Sequence, residues 1–478
     1  MIKKGDIINV VVKDFAFGGK GIATYKVDDK SIIVFINQGI PGQQLNVVIK
    51  KKKPTFLEAE IIEIITPSKL ENKVPYQRIS GAPYISLSIN DQRSMKEQVS
   101  FDVYKRIGKI EHIETLYDEW IPSPSPHHYR NKMEYSFSCI QYDLEKELVI
   151  DDAFALGFKR KGTWWMVENL DKDSGMFDKE LEDSLHQVRS FLEKTNLKAW
   201  HPPKKTGFFR HLVVRKSYLT NQLLFNLVTS SKGLDQFNHM EFGGYLEQLF
   251  KSRFRGLIHT INDDVADREK LDKGNSQLVK GNLTITEKIN DLNFDISMQS
   301  FFQTNPNCAE KLYEKVMQYI RLEKIPNDSY ILDLFCGTGT IGQLIAKSFP
   351  DANIIGVDIV KSAIENASIN ATKNNISNIT FKCDDVGKFL LNNPNYENKI
   401  HTIVIDPPRA GISPKSLRKV IRLNAKKIVY VSCNPATQAR DLETLSSMGY
   451  SLIKFSLADQ FPHTAHVESI MLFSQNQE

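Results

Sequence analysis

The chain has 478 residues, of which 41% are hydrophobic and 25% charged, a balance typical of globular proteins rather than of disordered chains. Its apolar runs are far shorter than the ~20 residues of a membrane helix, and its start lacks a signal-peptide core, so we expect a cytoplasmic protein without membrane contact. Five cysteines in a chain of this length exclude a disulfide scaffold, and the lack of a CxxC pair disfavours a structural metal site. The net charge of +5 is weak evidence for a nucleic-acid partner.

The first 66 residues have the composition of a small β-barrel. Runs at residues 7–13 and 31–36 are typical of strands, and a glycine-rich turn at residues 17–21 lies between them. About five short strands in this length predict a compact OB-like barrel, a fold that often binds nucleic acid. The four lysines at residues 50–53 are the obvious candidates to face phosphates, although such runs also occur in solvated loops.

The next part of the chain mixes helical and strand patterns. A helical pattern covers residues 92–113, and three prolines in residues 121–130 indicate a linker. Further on, strand-like runs alternate with a helix near residues 181–192, which predicts an α+β central domain.

This central domain carries no strong catalytic motif. Its most suggestive group is Lys159, Arg160 and Lys161, followed closely by Trp164 and Trp165. These side chains could touch RNA, although tryptophan pairs more often belong to a core.

The last third of the chain alternates strands with helices. Strands are predicted at residues 330–334, 353–357, 379–382, 400–405 and 427–431, and helices at 308–321, 362–374, 414–423 and 436–448. Such alternation predicts an α/β fold with a doubly wound parallel sheet. In these sheets ligands bind at the carboxyl ends of the strands, where the reactive residues of this chain fall.

A glycine-rich turn follows the first of these strands. The segment DLFCGTGTIG at residues 333–342 opens a helix, and Gly337 and Gly339 allow a tight turn and a close approach to a ligand. The segment lacks the GK[ST] ending of a P-loop, so it is no NTPase signature. Taken alone, the turn fits a dinucleotide or S-adenosylmethionine.

Acidic residues end the next two strands. The carboxylate of Asp358 can accept hydrogen bonds from ribose hydroxyls. Asp384 and Asp385 follow the third strand, where a polar side chain can contact adenine or cap a helix. Together with the glycine turn, these acids predict a site for a nucleoside cofactor.

Three later segments add reactive side chains. Two prolines follow Asp406 and hold it in place. Cys433 lies just past a strand, beside the predicted cofactor pocket, and Glu468 is a possible base downstream. A lone cysteine is usually a small buried hydrophobe, and this position is what distinguishes Cys433 from the others.

In this order, the motifs resemble the RNA uracil-5-methyltransferase family. They are FFQTN (301–305), DLFCGTGTIG (333–342), IDPPRAG (405–411), VSCNPAT (431–437) and HVESIML (466–472). The joint set is far more specific than any single motif, and the resemblance runs over nearly the whole chain.

The resemblance implies three domains and a substrate class. Residues 1–66 resemble the TRAM domain of that family, residues 67–95 and 126–295 would form the central domain, and residues 96–125 and 296–478 the Rossmann-like methyltransferase domain. Family members with a TRAM domain mostly act on 23S ribosomal RNA, whereas relatives without it act on transfer RNA. The resemblance therefore implies 23S rRNA, with tRNA as the alternative, and we expect a monomer.

The resemblance also implies roles for individual residues. Cys433 matches the nucleophile that adds to C6 of uracil, and Glu468 matches the base that later removes the C5 proton. Asp406 matches the residue that positions uracil and methyl donor together, while His466 could orient Glu468 or contact RNA and stays unassigned. The residues expected to bind S-adenosylmethionine are Gln303, Phe335, Gly337, Gly339, Asp358, Asp384 and Asp406. Many relatives carry Glu at Asp358.

One departure from the family pattern is large. Many relatives hold a four-iron iron–sulfur cluster on a C-x5-C-G-G-C run and a separate fourth cysteine. Val74, Ser80 and Pro83 stand at the corresponding positions, and no cysteine precedes Cys139. We therefore expect neither an iron–sulfur cluster nor a metal, and a central domain held by ordinary packing.

The sequence leaves three other functions open. An exocyclic amino methyltransferase shares the DPP motif, but an aromatic residue usually follows it where this chain has Arg409. An NAD-dependent dehydrogenase shares the glycine turn but has no use for Cys433 with Glu468. A non-catalytic RNA assembly factor is compatible with the missing cysteines, and the intact Cys433, Asp406 and Glu468 argue against it.

Overall fold

The computed structural model describes residues 2–27, 30–264, 275–322, 324–327, 329–396 and 398–476. Within these ranges the strands and helices, in chain order, are β1 (Ile7–Val11), β2 (Asp14–Ala16), β3 (Lys20–Val27), β4 (Lys30–Asn37), β5 (Gln44–Lys52), β6 (Phe56–Thr66), α1 (Ile89–Arg106), β7 (Tyr117–Ile121), β8 (Lys132–Ser138), β9 (Gln141–Asp143), β10 (Leu148–Ile150), β11 (Ala155–Lys159), β12 (Val167–Asn169), α2 (Lys179–Glu193), β13 (Phe209–Lys216), β14 (Leu223–Thr229), α3 (His239–Phe250), β15 (Phe254–Ile261), β16 (Asn275–Gly281), β17 (Thr284–Ile289), β18 (Leu292–Ser297), α4 (Pro306–Arg321), β19 (Tyr330–Leu334), α5 (Thr340–Ser348), β20 (Asn353–Asp358), α6 (Lys361–Lys373), β21 (Ile379–Cys383), α7 (Val386–Asn392), β22 (Ile400–Ile405), α8 (Pro414–Ile421), β23 (Lys427–Ser432), α9 (Pro435–Ser447), β24 (Tyr450–Ala458) and β25 (Glu468–Gln475).

The N-terminal strands form one six-stranded sheet in the order β1-β5-β6-β4-β3-β2. Alternate side chains point inward, as the period of a β-strand dictates, so that Val34, Leu45 and Leu57 are fully buried. Strands β1 and β2 follow each other in the chain but lie at opposite edges of the sheet, so the short connection at residues 12–13 brings the two edges together. This arrangement is compatible with the predicted OB-like barrel, with six strands instead of about five.

The central part contains a nine-stranded sheet in the order β10-β9-β12-β11-β8-β13-β14-β15-β16. Helices α2 and α3 cover it, because their apolar residues, such as Leu185 and Leu246, join the core of the sheet. The stretch at residues 121–130, interpreted as a linker, is packed rather than loose. Tyr129 is buried, and its hydroxyl donates to the Pro462 carbonyl at 3.0 Å.

The C-terminal sheet has eight strands in the order β21-β20-β19-β22-β23-β25-β24-β7. Strands β19 to β23 are mutually parallel, and β25 inserts antiparallel beside β23, with Val431 opposite Ile470. Neighbouring residues of β19 enter separate cores on opposite faces, Ile331 with α4 and α5 and Leu332 with α1, α8 and α9. The predicted doubly wound α/β fold is therefore confirmed.

The helix predicted at residues 92–113 is shorter and begins earlier. Ser88 caps α1 by accepting from the Asp91 amide at 3.1 Å, and the helix ends at Arg106, before Gly108. After it, β7 adds to the sheet edge beside β24, an element that the sequence pattern did not predict. Helix α1 runs through the predicted domain boundary at residue 95, and β18 runs through the one at residue 295. The division of the chain into domains stays a prediction.

Membrane-spanning helices and metal-binding clusters are absent among the described residues. Among the described residues, no helix is both long and apolar enough to cross a membrane. Within the same ranges, no three His, Cys, Asp or Glu side chains come together as a group able to hold a metal ion.

Candidate active site

The reactive side chains gather at one edge of the C-terminal sheet. Asp358 ends β20, while Asp406 and Cys433 directly follow β22 and β23. Because these strands are parallel, their carboxyl ends share an edge. Glu468 reaches the same edge from the opposite direction, since it begins the antiparallel strand β25.

A cavity of about 680 Å³ opens at this edge, within the size range of small-molecule sites. The sequence-predicted residues that line it are Gln303, Phe335, Gly337, Asp358, Asp406, Cys433 and Glu468. The structure therefore brings the three predicted catalytic residues together with four further predicted cofactor residues.

The glycine turn shapes the cavity floor. Phe335 and Gly337 both have positive φ, +64° and +53°, and the Gly337 amide donates to the Asp358 carboxylate at 2.9 Å. The other oxygen of that carboxylate accepts from the Val360 amide at 2.8 Å. Asp358 is thus held by backbone donors at the rim, with lone pairs left for a ligand.

Two predicted cofactor residues do not line this cavity. At Gly339, where φ is +74°, a Cβ would lie 2.5 Å from the Phe381 ring, so this glycine serves helix–sheet packing at the start of α5. The Asp384 amide donates to the Asp358 carbonyl, and Asp384 is absent from the cavity lining. Its neighbour Asp385 caps α7, accepting from the Lys388 amide at 3.1 Å.

Gln303 is held from three sides. Asn131 donates to its carbonyl at 3.0 Å, Gln460 donates to its side-chain oxygen at 3.2 Å, and Tyr313 lies within hydrogen-bonding reach. These contacts hold Gln303 in the lining of the cavity.

Burial raises the pKa of the acidic groups that line the cavity. Asp406 is half-buried, and this burial raises the pKa of its carboxyl to about 7. Burial, and then the Asp406 charge, hold the pKa of Glu468 well above its usual range. Burial, followed by the charges of Glu468 and Asp406, raises the pKa of the Cys433 thiol to about 11, against the opposing effect of Arg409. In the free protein the thiol is protonated at neutral pH.

A second cavity, of about 500 Å³, meets the first at Cys433. The barrel turn at Gly18 and Gly19 forms one side of it, and the loop after β24, including His466, another. Four residues line both cavities, namely Arg130, Arg409, Cys433 and Phe461. One molecule can therefore reach Cys433 from the second cavity while another occupies the first.

The sequence patterns did not indicate Arg130 and Arg409 as residues of the site. Arg409 lies in the IDPPRAG motif, three residues after Asp406, and that proximity was a usable signal. Arg130 ends the stretch interpreted as a linker, and only tertiary packing brings it to Cys433. His466 lines the second cavity, and burial lowers its pKa to about 4, so its ring is neutral there at pH 7.

Glutamates partly neutralise the lysine run on the barrel. Lys50 pairs with Glu60 at 3.0 Å, and Lys51 lies 3.7 Å from Glu58. Lys52 donates to the Ile2 carbonyl at 2.9 Å. The phosphate-facing role of this run stays a prediction.

The segment at the cysteine positions of relatives is built into the central core. Val74 packs against that core, and Ile79 and Ala82 belong to it. Ser80 donates to the Lys159 carbonyl at 3.0 Å. Ordinary apolar packing and hydrogen bonding hold this segment.

Comparison with known proteins identifies the family. The tRNA (uracil-5-)-methyltransferase profile matches residues 246–476. A Clostridium acetobutylicum protein described as an uncharacterized RNA methyltransferase is 35% identical over 99% of each chain. This chain belongs to the RNA uracil-5-methyltransferase family. That membership confirms the expected enzyme class and decides against the dehydrogenase and exocyclic amino methyltransferase alternatives.

Two further relatives support the same family. A Caldanaerobacter subterraneus protein, also described as an uncharacterized RNA methyltransferase, is 34% identical over 99% of this chain and 100% of its own. The crystal structure of Pyrococcus abyssi tRNA (uracil-54, C5)-methyltransferase in complex with S-adenosyl-L-homocysteine superposes with a TM-score of 0.68. It is 25% identical, and the match covers 98% of this chain and 100% of that chain.

Proposed function

We propose that this enzyme transfers the methyl group of S-adenosylmethionine to C5 of a uridine in 23S rRNA through a covalent adduct with Cys433. The observation that carries the proposal is the position of Cys433 where the two cavities meet. A methyl donor in the first cavity and a base in the second would both reach this side chain.

The residues of the first cavity suit S-adenosylmethionine. Asp358 presents a carboxylate at the rim, where ribose hydroxyls can donate to it. Thr304 also lines the cavity, and its buried hydroxyl has no hydrogen-bond partner among the described residues. Asp406 and Glu468 line the same cavity, and a bound sulfonium would favour the ionised form of both carboxyls. The S-adenosylhomocysteine complex of the Pyrococcus abyssi relative supports the same cofactor.

The chain supplies both a nucleophile and a base. The Cys433 thiol passes its proton to solvent in the second cavity, and its Sγ bonds to C6 of the uracil, which makes C5 nucleophilic. S-adenosylmethionine, when bound, supplies an electrophilic methyl group that C5 accepts, and S-adenosylhomocysteine leaves as the S–methyl bond breaks. Ionised Glu468 then takes the C5 proton, and the Sγ–C6 bond breaks to release the methylated base and the thiolate.

The remaining charged side chains assist this sequence. Arg130 and Arg409 line the second cavity, where they can stabilise the negative charge that develops on the ring after Cys433 adds. Asp406 lines the first cavity beside Cys433 and would position the methyl donor against the base. The uracil must leave its stack to enter, at a cost of a few kcal/mol.

The choice of RNA follows from the barrel. Its resemblance to a TRAM domain supports 23S rRNA, and we retain the expectation of a monomeric cytoplasmic enzyme. Transfer RNA is the second candidate, since the family profile and the Pyrococcus abyssi relative both carry tRNA in their names.

The test is to map 5-methyluridine. Purified enzyme and S-adenosylmethionine are added to 23S rRNA and to tRNA from cells lacking the gene, and each RNA is analysed by mass spectrometry. We expect new 5-methyluridine in 23S rRNA and none with Cys433→Ala. Methylation confined to tRNA selects the second candidate, and its absence from both refutes the proposed function.

A further inference from the structure

A loop of the central domain presents a fixed aromatic side chain to solvent. It connects β11 to β12, and the Arg160 amide closes it by donating to the Met166 carbonyl at 2.8 Å. Trp164 is 55% exposed at its tip. Trp165 packs against the central core, and the two rings meet edge to face, with centroids 5.7 Å apart. The Trp164 ring is therefore oriented by an anchored neighbour and still offers surface to a ligand.

Two hydrogen bonds tie this loop to the rim of the second cavity. Ser80 donates to the Lys159 carbonyl at 3.0 Å, and the Lys161 ammonium donates to the Asn37 carbonyl at 2.9 Å. Both Ser80 and Asn37 line the second cavity. Single exposed aromatics are ordinary, but this one stands on a loop bonded at two points to the rim of a cavity that contains the nucleophile.

The charges around the loop suit a polyanion. Lys161 lies at the rim, and Arg130 and Arg409 line the cavity beyond it. The acidic neighbours are engaged, since Glu168 pairs with Arg160 at 3.4 Å and Glu60 with Lys50 at 3.0 Å. A negatively charged strand that enters the second cavity can therefore cross the loop without meeting an unpaired carboxylate from these two residues.

We propose that Trp164 is a stacking platform for an unpaired base of the RNA strand whose target uridine enters the second cavity. This inference rests on the proposed function and names a substrate contact for it. Flipping the target uridine disrupts its stack and leaves adjacent bases available, and an indole face accepts any base because every base has a π-face.

The test compares variants of the full-length enzyme in binding a short fluorescein-labelled oligouridylate and a labelled RNA duplex of equal length, by anisotropy over a range of salt. We expect Trp164→Ala to weaken oligouridylate binding about 5- to 150-fold, the range that base–aromatic stacking supplies. The salt dependence should stay parallel to wild type, because the substitution leaves every phosphate interaction in place. Duplex binding should change less than about twofold, since paired bases offer no free face.

Two further variants separate stacking from general damage. Trp164→Phe keeps an aromatic face and should retain most of the affinity, and Leu148→Ala removes an exposed apolar side chain from β10 of the same sheet and should leave binding unchanged. Unchanged oligouridylate binding by Trp164→Ala, an equal loss with Trp164→Phe or Leu148→Ala, or an equal loss on duplex would each overturn the platform. Failure of the wild-type enzyme to methylate RNA would instead refute the proposed function, because anisotropy measures binding without turnover.

Discussion

Binding of S-adenosylmethionine should depend on pH through Asp406. In the free protein, burial raises the pKa of this carboxyl to about 7, so below pH 7 it is mostly protonated. A sulfonium in the cavity favours the ionised form and lowers the pKa in the complex. Binding then releases a proton, and affinity rises with pH until the free carboxyl is already ionised.

The magnitude follows from the two pKa values. If the pKa in the complex returns to the ordinary value of about 4, affinity falls roughly tenfold for each pH unit below 7. Relative to pH 8, the affinity should be roughly tenfold lower at pH 6 and roughly 100-fold lower at pH 5. The raised pKa belongs to the free state, so the loss occurs on the acidic side, and the contribution of Asp406 to the affinity is level above about pH 8.

Calorimetric titration between pH 5 and 8 measures this dependence. S-adenosylhomocysteine is the matched ligand control, because its sulfur is uncharged and its affinity should vary much less over the same range. Asp406→Asn is the matched protein control and should flatten the S-adenosylmethionine curve. Parallel curves for the two ligands, or a wild-type slope in Asp406→Asn, would rule out Asp406 as the group that titrates.

Three more predictions concern the base, the barrel turn and the lysine run. Glu468→Gln should form the covalent RNA adduct at Cys433 but release it at least 100-fold more slowly, because no base removes the C5 proton. Denaturing gel electrophoresis should show the retained complex, and normal turnover would exclude Glu468 as the base. Gly19→Ala forces a side chain at φ +77° and places its methyl within 2.8 Å of two neighbouring side chains, whereas Gly18→Ala at φ +81° meets nothing within 4 Å. Gly18→Ala should lose roughly 1–2 kcal/mol of stability from backbone strain, and Gly19→Ala should lose more because it also crowds these neighbours. Gly19→Ala alone should raise the KM for RNA, and equal KM values for the two variants would contradict the expected crowding. Replacing the lysines at residues 50–53 with Gln should reduce the salt slope of RNA binding by about 0.7 for each phosphate that the run neutralises, and an unchanged slope in anisotropy titrations would assign the run to a solvated loop.

The strand–helix alternation predicted the C-terminal sheet because its pattern is local. Asp358, Asp406 and Cys433 follow predicted parallel strands, so their shared edge required only the general topology of such sheets. Glu468 begins a strand instead of ending one, and its place at that edge depends on the antiparallel insertion of β25. Resemblance to the family implied its role, which strand periodicity alone did not.

Sequence patterns did not predict how distant segments of the chain pack together. The sequence placed Gly339 in a glycine turn but did not indicate its close packing against Phe381, and its role in cofactor binding stays a prediction. The second cavity combines the barrel turn, the loop near Ser80 and the loop after β24, which no local pattern relates. Arg130 reaches Cys433 by the same long-range packing.

The central claim is that the sulfur of Cys433 bonds to C6 of the target uracil. The direct measurement uses RNA containing 5-fluorouridine, in which fluorine replaces the C5 proton, so that the base cannot release the enzyme and the adduct accumulates. Enzyme, S-adenosylmethionine and this RNA should give a protein–RNA species whose peptide mass places the modification on Cys433, with wild-type yield from the exposed-cysteine control Cys383→Ala. An adduct that persists in Cys433→Ala, or methylation of ordinary RNA by that variant at the wild-type rate, would contradict the account.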